Sequence, residues 1–275
     1  MSEEKAKVYF QAHRGGGAHE APDNTMSANR YAWSLGGIPE ADIRSTSDGI
    51  IICLHDNTLA RTTNAPDAIK DMPVGSLSYE EIRKWNAGVH FGGTFQGEKV
   101  PVLEEVFSEM KNDPDRMIYL DLKDVDLDRL GRMINQYGIN EQVIFAHNVQ
   151  ENCGRMKKIA AGVKSMLWIG GNGEQIQQRY LAARDSGFSG LDQVQIHLNS
   201  APPAGKSWPY QVNETFLIEA LAETGRLGID LEVLPFTFSQ SSIDRLLDIG
   251  IRWFATDEPS RFVQYVRSWQ EKNIC

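Results

Sequence analysis

The sequence predicts an α/β fold, a TIM (β/α)8 barrel forming a single domain over residues 1–275, with an insertion at 56–101 between the second and third barrel strands. Three observations lead to it. Short apolar segments alternate with amphipathic helix-length segments, the pattern of parallel strands joined by helical crossovers. Glycines stand where helical patterns end. A chain of 275 residues, 41% hydrophobic, holds enough apolar material for one barrel-sized domain.

Strand patterns fall at 8–12, 38–43, 50–55, 117–123, 142–146, 165–169, 191–198, 228–233 and 251–256. Helical patterns lie between most of them, at 25–35, 127–137, 151–161, 174–186, 214–224 and 241–249, with a last helix at 259–272 opening on Pro259. Gly138, Gly187, Gly225 and Gly250 follow helical patterns where a C-terminal cap favours positive φ. Nine strands are one too many for an eight-stranded barrel. The surplus is 50–55, because only Arg44 to Gly49 separate it from the strand before, too short for a parallel crossover. Asp48-Gly49 suits a tight turn, so 50–55 reads as a strand folded back at the barrel mouth. A doubly wound open sheet is the alternative.

Residues 56–101 break the rhythm, with several glycines, scattered aromatic residues and one helical stretch at 78–85. Loops of this length inside compact domains act as lids or binding elements, and this one is expected to cap the barrel. Trp85, Phe91, Phe95 and Phe236 are assigned mainly to the core.

A net charge of −9 gives no basic stripe for nucleic acid. Cys53, Cys153 and Cys275 are too widely spaced for a zinc pair or a disulfide framework, and Cys53 sits in an apolar run as a core thiol. The polar start from Met1 to Lys7 and the lack of an 18-residue apolar stretch lead to the expectation of a cytoplasmic protein without a membrane segment.

Polar residues gather at the C-terminal ends of the early strands, the catalytic end of a TIM barrel. The first strand runs into His13-Arg14-Gly15-Gly16. Glu40 and Asp42, two apart, leave the same face of the second. The folded-back strand ends in His55-Asp56, and Asp121 and Lys123 share a face in an apolar run where lone charges are costly. Singly, each has a structural explanation. Together they bring three carboxylates, two imidazoles, an arginine and a lysine to one mouth. Glu40, Asp42 and Asp121 offer oxygen ligands for one hard divalent cation, Mg²⁺ or Ca²⁺. His13 and His55 offer acid–base groups near neutral pH. Arg14 and Lys123 can neutralise an anionic substrate. The set describes phosphoryl chemistry.

The ordered motifs His13-Arg14-Gly15, Pro22-Asp23-Asn24-Thr25, Glu40-Ala41-Asp42, Thr46-Ser47-Asp48-Gly49 and His55-Asp56 with Arg61-Thr62-Thr63 resemble the glycerophosphodiester phosphodiesterase family. So do Gly88 with Phe91-Gly92, the run from Val100 to Val106, and Ala255-Thr256-Asp257-Glu258-Pro259. The match is strong over residues 8–123 and the final strand, and loose over 140–240. The resemblance implies a TIM barrel hydrolysing small-molecule glycerophosphodiesters to an alcohol and glycerol phosphate. It implies His13 and His55 as general base and acid in unspecified order. It further implies Glu40, Asp42 and Asp121 as metal ligands and Arg14 and Lys123 as phosphate contacts. Asp23 and Asp121 stand where the family more often has glutamate, and the stretch from Val233 to Phe238 departs from the family's usual late strand. His147 and His197 are expected to be structural or on the surface, and Glu151 has no assigned role.

Rival readings are a barrel phosphodiesterase acting on lysophospholipids, a silent barrel binding a phosphorylated ligand, and a sugar-phosphate isomerase. The silent barrel should lack a ligand or a histidine, and none is missing. The isomerase gives no reason for three carboxylates beside two histidines.

Overall fold

The structure is a computed structural model describing residues 7–201 and 208–273. Cys275 and the first six residues of the polar start lie outside them. Nine strands alternate with ten helices: β1 (Tyr9–Ala12), α1 (Gly17–Glu20), α2 (Met26–Ser34), β2 (Ile38–Ser45), β3 (Ile51–Cys53), α3 (Tyr79–Ile82), α4 (Leu103–Met110), β4 (Ile118–Leu122), α5 (Leu127–Tyr137), β5 (Val143–His147), α6 (Gln150–Ile159), β6 (Lys164–Ile169), α7 (Gly173–Asp185), β7 (Gln193–Leu198), α8 (Glu214–Arg226), β8 (Asp230–Pro235), α9 (Gln240–Asp248), β9 (Trp253–Thr256) and α10 (Pro259–Lys272).

Eight parallel strands run in the order β1-β9-β8-β7-β6-β5-β4-β2, and pairing of β1 with β2 closes the ring. This is the predicted TIM barrel. The ninth strand, β3, pairs antiparallel with β2, through Ile43↔Cys53, Arg44↔Ile52 and Ser45↔Ile51. Its turn is held by Thr46, whose backbone N–H donates to the Ile50 carbonyl at 2.9 Å, and by Gly49 at φ 80°. The open-sheet alternative falls with the closure.

Most apolar side chains pack between the outer face of the barrel and its helices, as with Phe107, Leu130, Ile134, Leu217 and Leu246. Burial of this sheath is the main stabilising force. A smaller cluster of Ile38, Tyr119, Ile144, Ala146 and Met166 is separate from it, with Trp168 and Trp253 packed against it. A polar layer crosses between the strands. Glu232, fully buried, accepts from Tyr119 Oη at 3.0 Å and Gln193 Nε2 at 3.2 Å, and also from Gln195 Nε2. Gln195 donates in turn to Gln11 at 2.8 Å. Buried polar groups are tolerable because each finds a partner.

Three sequence expectations change. Helix α4 was not anticipated: its apolar residues at 103, 106, 107 and 110 have helical spacing but directly follow the insertion's turn-rich chain. The Ser78–Trp85 stretch is helical only over Tyr79–Ile82. Gly225 lies inside α8, and Gly228, at φ 69°, takes the left-handed position after it. No helix among the described residues is long and apolar enough to cross a membrane.

The insertion builds a core of its own. Leu59, Val74, Leu77, Ile82, Ala87 and Val100 bury against Ile52 and Leu54, with Trp85 and Tyr79 packed beside them.

Candidate active site

His13 follows β1 directly, and its backbone N–H donates to the carbonyl of Thr256 at the end of β9. Its Nδ1 lies 2.7 Å from Asp257 Oδ1, across 244 positions of sequence. His55 follows β3, with Nδ1 2.7 Å from Asp56 Oδ1. A carboxylate only accepts, so each Nδ1 carries the proton and each Nε2 is left to act on a ligand. Burial works against a charged His13, but the bond to Asp257 and the nearby charge of Glu40 outweigh it and raise its pKa above 6.5. Arg61 binds the Asp56 carboxylate with Nε at 2.6 Å. Although burial opposes it, this partner and His55 pull the Asp56 carboxyl down to about 2.

Glu40, Asp42 and Asp121 point together. Asp42 pairs with Asp121 in the β2–β4 register, and one oxygen of each of the three carboxylates lies within 4.8 Å of the others. Glu40 Oε2 accepts the Arg14 backbone N–H at 2.7 Å, and Asp42 Oδ2 accepts Asn24 Nδ2 at 2.9 Å. Of the remaining oxygens, Glu40 Oε1 is buried without a partner, and Asp42 Oδ1 is met only by an ammonium. Lys123 Nζ lies between Asp121 Oδ2, at 2.7 Å, and Asp42 Oδ1, at 2.9 Å. Burial, with Asp42 close by, pushes the Glu40 carboxyl up to about 8. Burial raises Asp121 as well. For Asp42 the ammonium of Lys123 overcomes burial and the pKa is lowered. A bare buried oxygen on Glu40, within a hard, all-oxygen donor set that now holds an ammonium, fits a divalent cation.

These groups surround a cavity of about 190 Å³ lined by His13, Glu40, His55, Asp121 and Lys123 on one side. The other side is Ala146, Met166, Trp168, His197, Leu234 and Phe236. Trp168 stacks on His197 with centroids 5.5 Å apart, Phe236 meets the imidazole edge-on, and Trp168 Nε1 donates to Asp121 Oδ1 at 3.2 Å. Burial, aided by His13, lowers the His197 pKa to about 4 and keeps it neutral.

Of the seven residues singled out in the sequence, five line this cavity. Asp42 lies just beneath, fully buried. Arg14 is turned aside: its Nη1 lies 3.1 Å from Asp23 Oδ2, and Arg61 reaches the same oxygen at 2.8 Å. Two expectations are corrected. His197 is a wall of the cavity, because it stands two residues beyond inward-facing Gln195 on β7. Phe236 is 40% exposed at the mouth, because β8 has ended at Pro235. His147 is outside the lining and accepts the Val149 backbone N–H at Nδ1. Glu151 sits in the first turn of α6. Asn24, Asp56 and Asp257 had no role in the sequence reading, although each stood inside a recognised motif.

The model of the Glycerophosphoryl diester phosphodiesterase family matches residues 13–261. The chain belongs to that family. It is a phosphodiester hydrolase. Among relatives of this glycerophosphoryl diester phosphodiesterase, the glycerophosphodiester phosphodiesterase of Caldanaerobacter subterraneus is 29% identical over 95% of this chain and 98% of its own length. Human glycerophosphodiester phosphodiesterase 1 is 42% identical, over 41% of this chain and 33% of that protein. A solved glycerophosphodiester phosphodiesterase from Agrobacterium tumefaciens has the same fold, with a TM-score of 0.71 at 23% identity over 94% of this chain and 99% of its own. A phosphodiesterase from Oleispira antarctica, solved in complex with its product sn-glycerol-3-phosphate, gives 0.70 at 18% identity over 94% and 96%.

Proposed function

We propose that this chain hydrolyses glycerophosphodiesters to an alcohol and glycerol phosphate, with His13 and His55 as its acid–base pair and one divalent cation on Glu40, Asp42 and Asp121. The observation that carries the reading is two imidazoles, each tethered at Nδ1 to an aspartate, facing one cavity beside a cluster of three carboxylates in which Glu40 keeps a buried, unpartnered oxygen.

Such an ion, Mg²⁺ or Ca²⁺, supplies Lewis-acid polarisation of the phosphate and lowers the pKa of a nucleophilic hydroxyl. The rest falls to side chains. One histidine accepts, at Nε2, the proton of the attacking hydroxyl, which is water, or the neighbouring glycerol 2-hydroxyl with water then opening the cyclic phosphate that results. The other donates a proton to the departing alkoxide oxygen. Asp257 and Asp56 hold the rings in one tautomer and stabilise the imidazolium that forms. Lys123, which lines the cavity, neutralises the phosphate oxygens as charge builds up on them, and Arg14 would join it only by leaving Asp23. Without that ion, Lys123 also balances Asp42 and Asp121.

The apolar wall from Met166 to Phe236 favours a second reading, in which the alcohol is itself apolar, as in a lysophospholipid. A panel of glycerophosphodiesters and lysophospholipids, assayed with added Mg²⁺, Ca²⁺ or Mn²⁺ after chelation, separates the two. Turnover of the glycerophosphodiesters, absent after chelation and restored by one ion, is the expected result. Full turnover after exhaustive metal removal overturns the proposed mechanism.

A further inference from the structure

The two cation-facing carboxylates of β2 are each half consumed from the same place, the loop from His13 to Thr25. Arg14 and Asn24 are two of the few residues other than glycine with positive φ, at 55° and 58°. The Asn24 backbone N–H donates to the Arg14 carbonyl at 2.9 Å, so the two left-handed residues brace one another. From this brace Arg14 gives its own backbone N–H to Glu40 Oε2. Asn24 gives its whole carboxamide to Asp42: Oδ1 accepts the Asp42 backbone N–H at 2.8 Å, and Nδ2 donates to Asp42 Oδ2 at 2.9 Å. Both ends of the amide are spent on one residue, and Asn24 is almost fully buried. Of the atoms left over, Glu40 Oε1 has no partner, and Asp42 Oδ1 meets only the ammonium of Lys123, a cation already in the place another cation would take.

We infer that Asn24 is a positioning residue for the cation, a clasp that fixes the Asp42 carboxylate so that Oδ1 alone is presented. The inference rests on the metal reading above. The chemistry follows from donor geometry. A free aspartate rotates about χ2 and offers either oxygen. An amide bonded to both the backbone N–H and Oδ2 removes that freedom before an ion arrives, and such outer partners contribute substantially to metal affinity. Asparagine also suits the backbone here, being among the side chains that enter the left-handed region most readily.

Asn24→Gly keeps the left-handed backbone and removes only the amide. Asn24→Ala removes the amide and adds backbone strain. Cation affinity is read by calorimetry on the metal-free protein, with Mg²⁺, Ca²⁺ and Mn²⁺ titrated singly, beside circular dichroism for folding. Both folded variants should bind about ten- to a hundred-fold more weakly. Excess cation should restore kcat in each, which it would not do for a general loss of structure. If Asn24 acts through Asp42, Asn24→Gly combined with Asp42→Asn should bind no worse than Asp42→Asn alone. Affinity within two-fold of the parent in either folded variant overturns the inference alone. So does weakening in Asn24→Ala but not in Asn24→Gly, which would assign the effect to the backbone. A parent chain that binds no cation removes the metal reading and this inference together.

Discussion

At the scale of single residues, the two histidines differ in a way that matters for rate. His13 is the more enclosed and is tied to a partner on the last strand, whereas His55 leans on its sequence neighbour, itself held by Arg61. Replacing either with alanine should lower kcat by roughly 10²–10⁴-fold, the usual contribution of a positioned acid or base. The double variant should fall well short of the product, since both serve one proton cycle. A nitrophenyl leaving group needs no acid, so it should rescue only the variant that lacks the proton donor. Near-normal kcat in either single variant with an alkyl leaving group would remove that residue from the mechanism. Glu40 offers a second test. With its carboxyl at about 8 in the absence of a cation, it is protonated at pH 7, and a bound cation requires the anion. Cation binding at pH 7 should therefore release close to one proton, read from calorimetry in buffers of different ionisation enthalpy. Release that is absent in the parent and unaltered in Glu40→Gln would refute this assignment. The sequence offered this residue as a candidate ligand but not its proton, because protonation depends on burial and on Asp42 and Asp121 coming close in space.

Among the elements, the insertion departs furthest from expectation. It was expected to cap the barrel, yet none of its described residues lines the cavity; Phe91 and Phe95 meet each other edge-on, 5.8 Å between centroids. Its apolar residues instead pack against Ile52 of β3 and Leu54 after it, the stretch that leads into His55. We propose that its service to the site is support of that strand, with Arg61 as its nearest approach to the chemistry. Leu77→Ala, at a buried position in this second core, should cost about 2–5 kcal/mol. Amide hydrogen exchange should quicken at Ile51–Cys53 while β5, β6 and β7 keep their protection. Equal quickening around the whole barrel would show that the insertion shares one cooperative unit with it. Period-two and period-3.6 patterns made the barrel strands and most helices legible, and the Asp48-Gly49 turn made the β3 hairpin legible. Helix α4 was missed because its signal begins where the turn-rich insertion ends. His197 was missed because a strand's inward face cannot be distinguished from its outward face without its neighbours, and Phe236 because the pattern does not mark where β8 ends. The partnership of His13 with Asp257 joins the first strand to the last, which no local pattern encodes.

For the whole molecule, buried carboxylates shape how stability responds to pH: those of the cluster, and Glu232 in the polar layer, which burial pushes up to about 7. Burial and the nearby Asp42 push the Glu40 carboxyl up to about 8 from an ordinary 4.5, so the folded protein holds the extra proton between those values. Stability from this group is therefore fully present below about 4.5 and is lost as pH rises through 8; Asp121, also raised, acts in the same direction. The lowered Asp42 acts oppositely, its contribution being lost only as pH falls below the ordinary carboxylate range. The metal-free protein should thus melt at a lower temperature at pH 8 than at pH 6, and saturating Mg²⁺ or Ca²⁺ should raise Tm more at pH 8. Equal increments at both values would exclude Glu40 as the group responsible.

The ring also has uneven seams. β1 and β9 pair through four residue pairs, but β1 joins β2, and β9 joins β8, through only two each. The stave made of the first and last strands carries His13 and Asp257. Biosynthesis delivers His13 almost at once and Asp257 only after some 244 further residues, so a nascent chain holds its carboxylates long before it can orient its imidazole. The enzyme should stay inert on the ribosome until β9 has emerged. On dilution from denaturant, hydrolysis should return later than the circular dichroism signal, with the lag measuring the time the stave takes to dock.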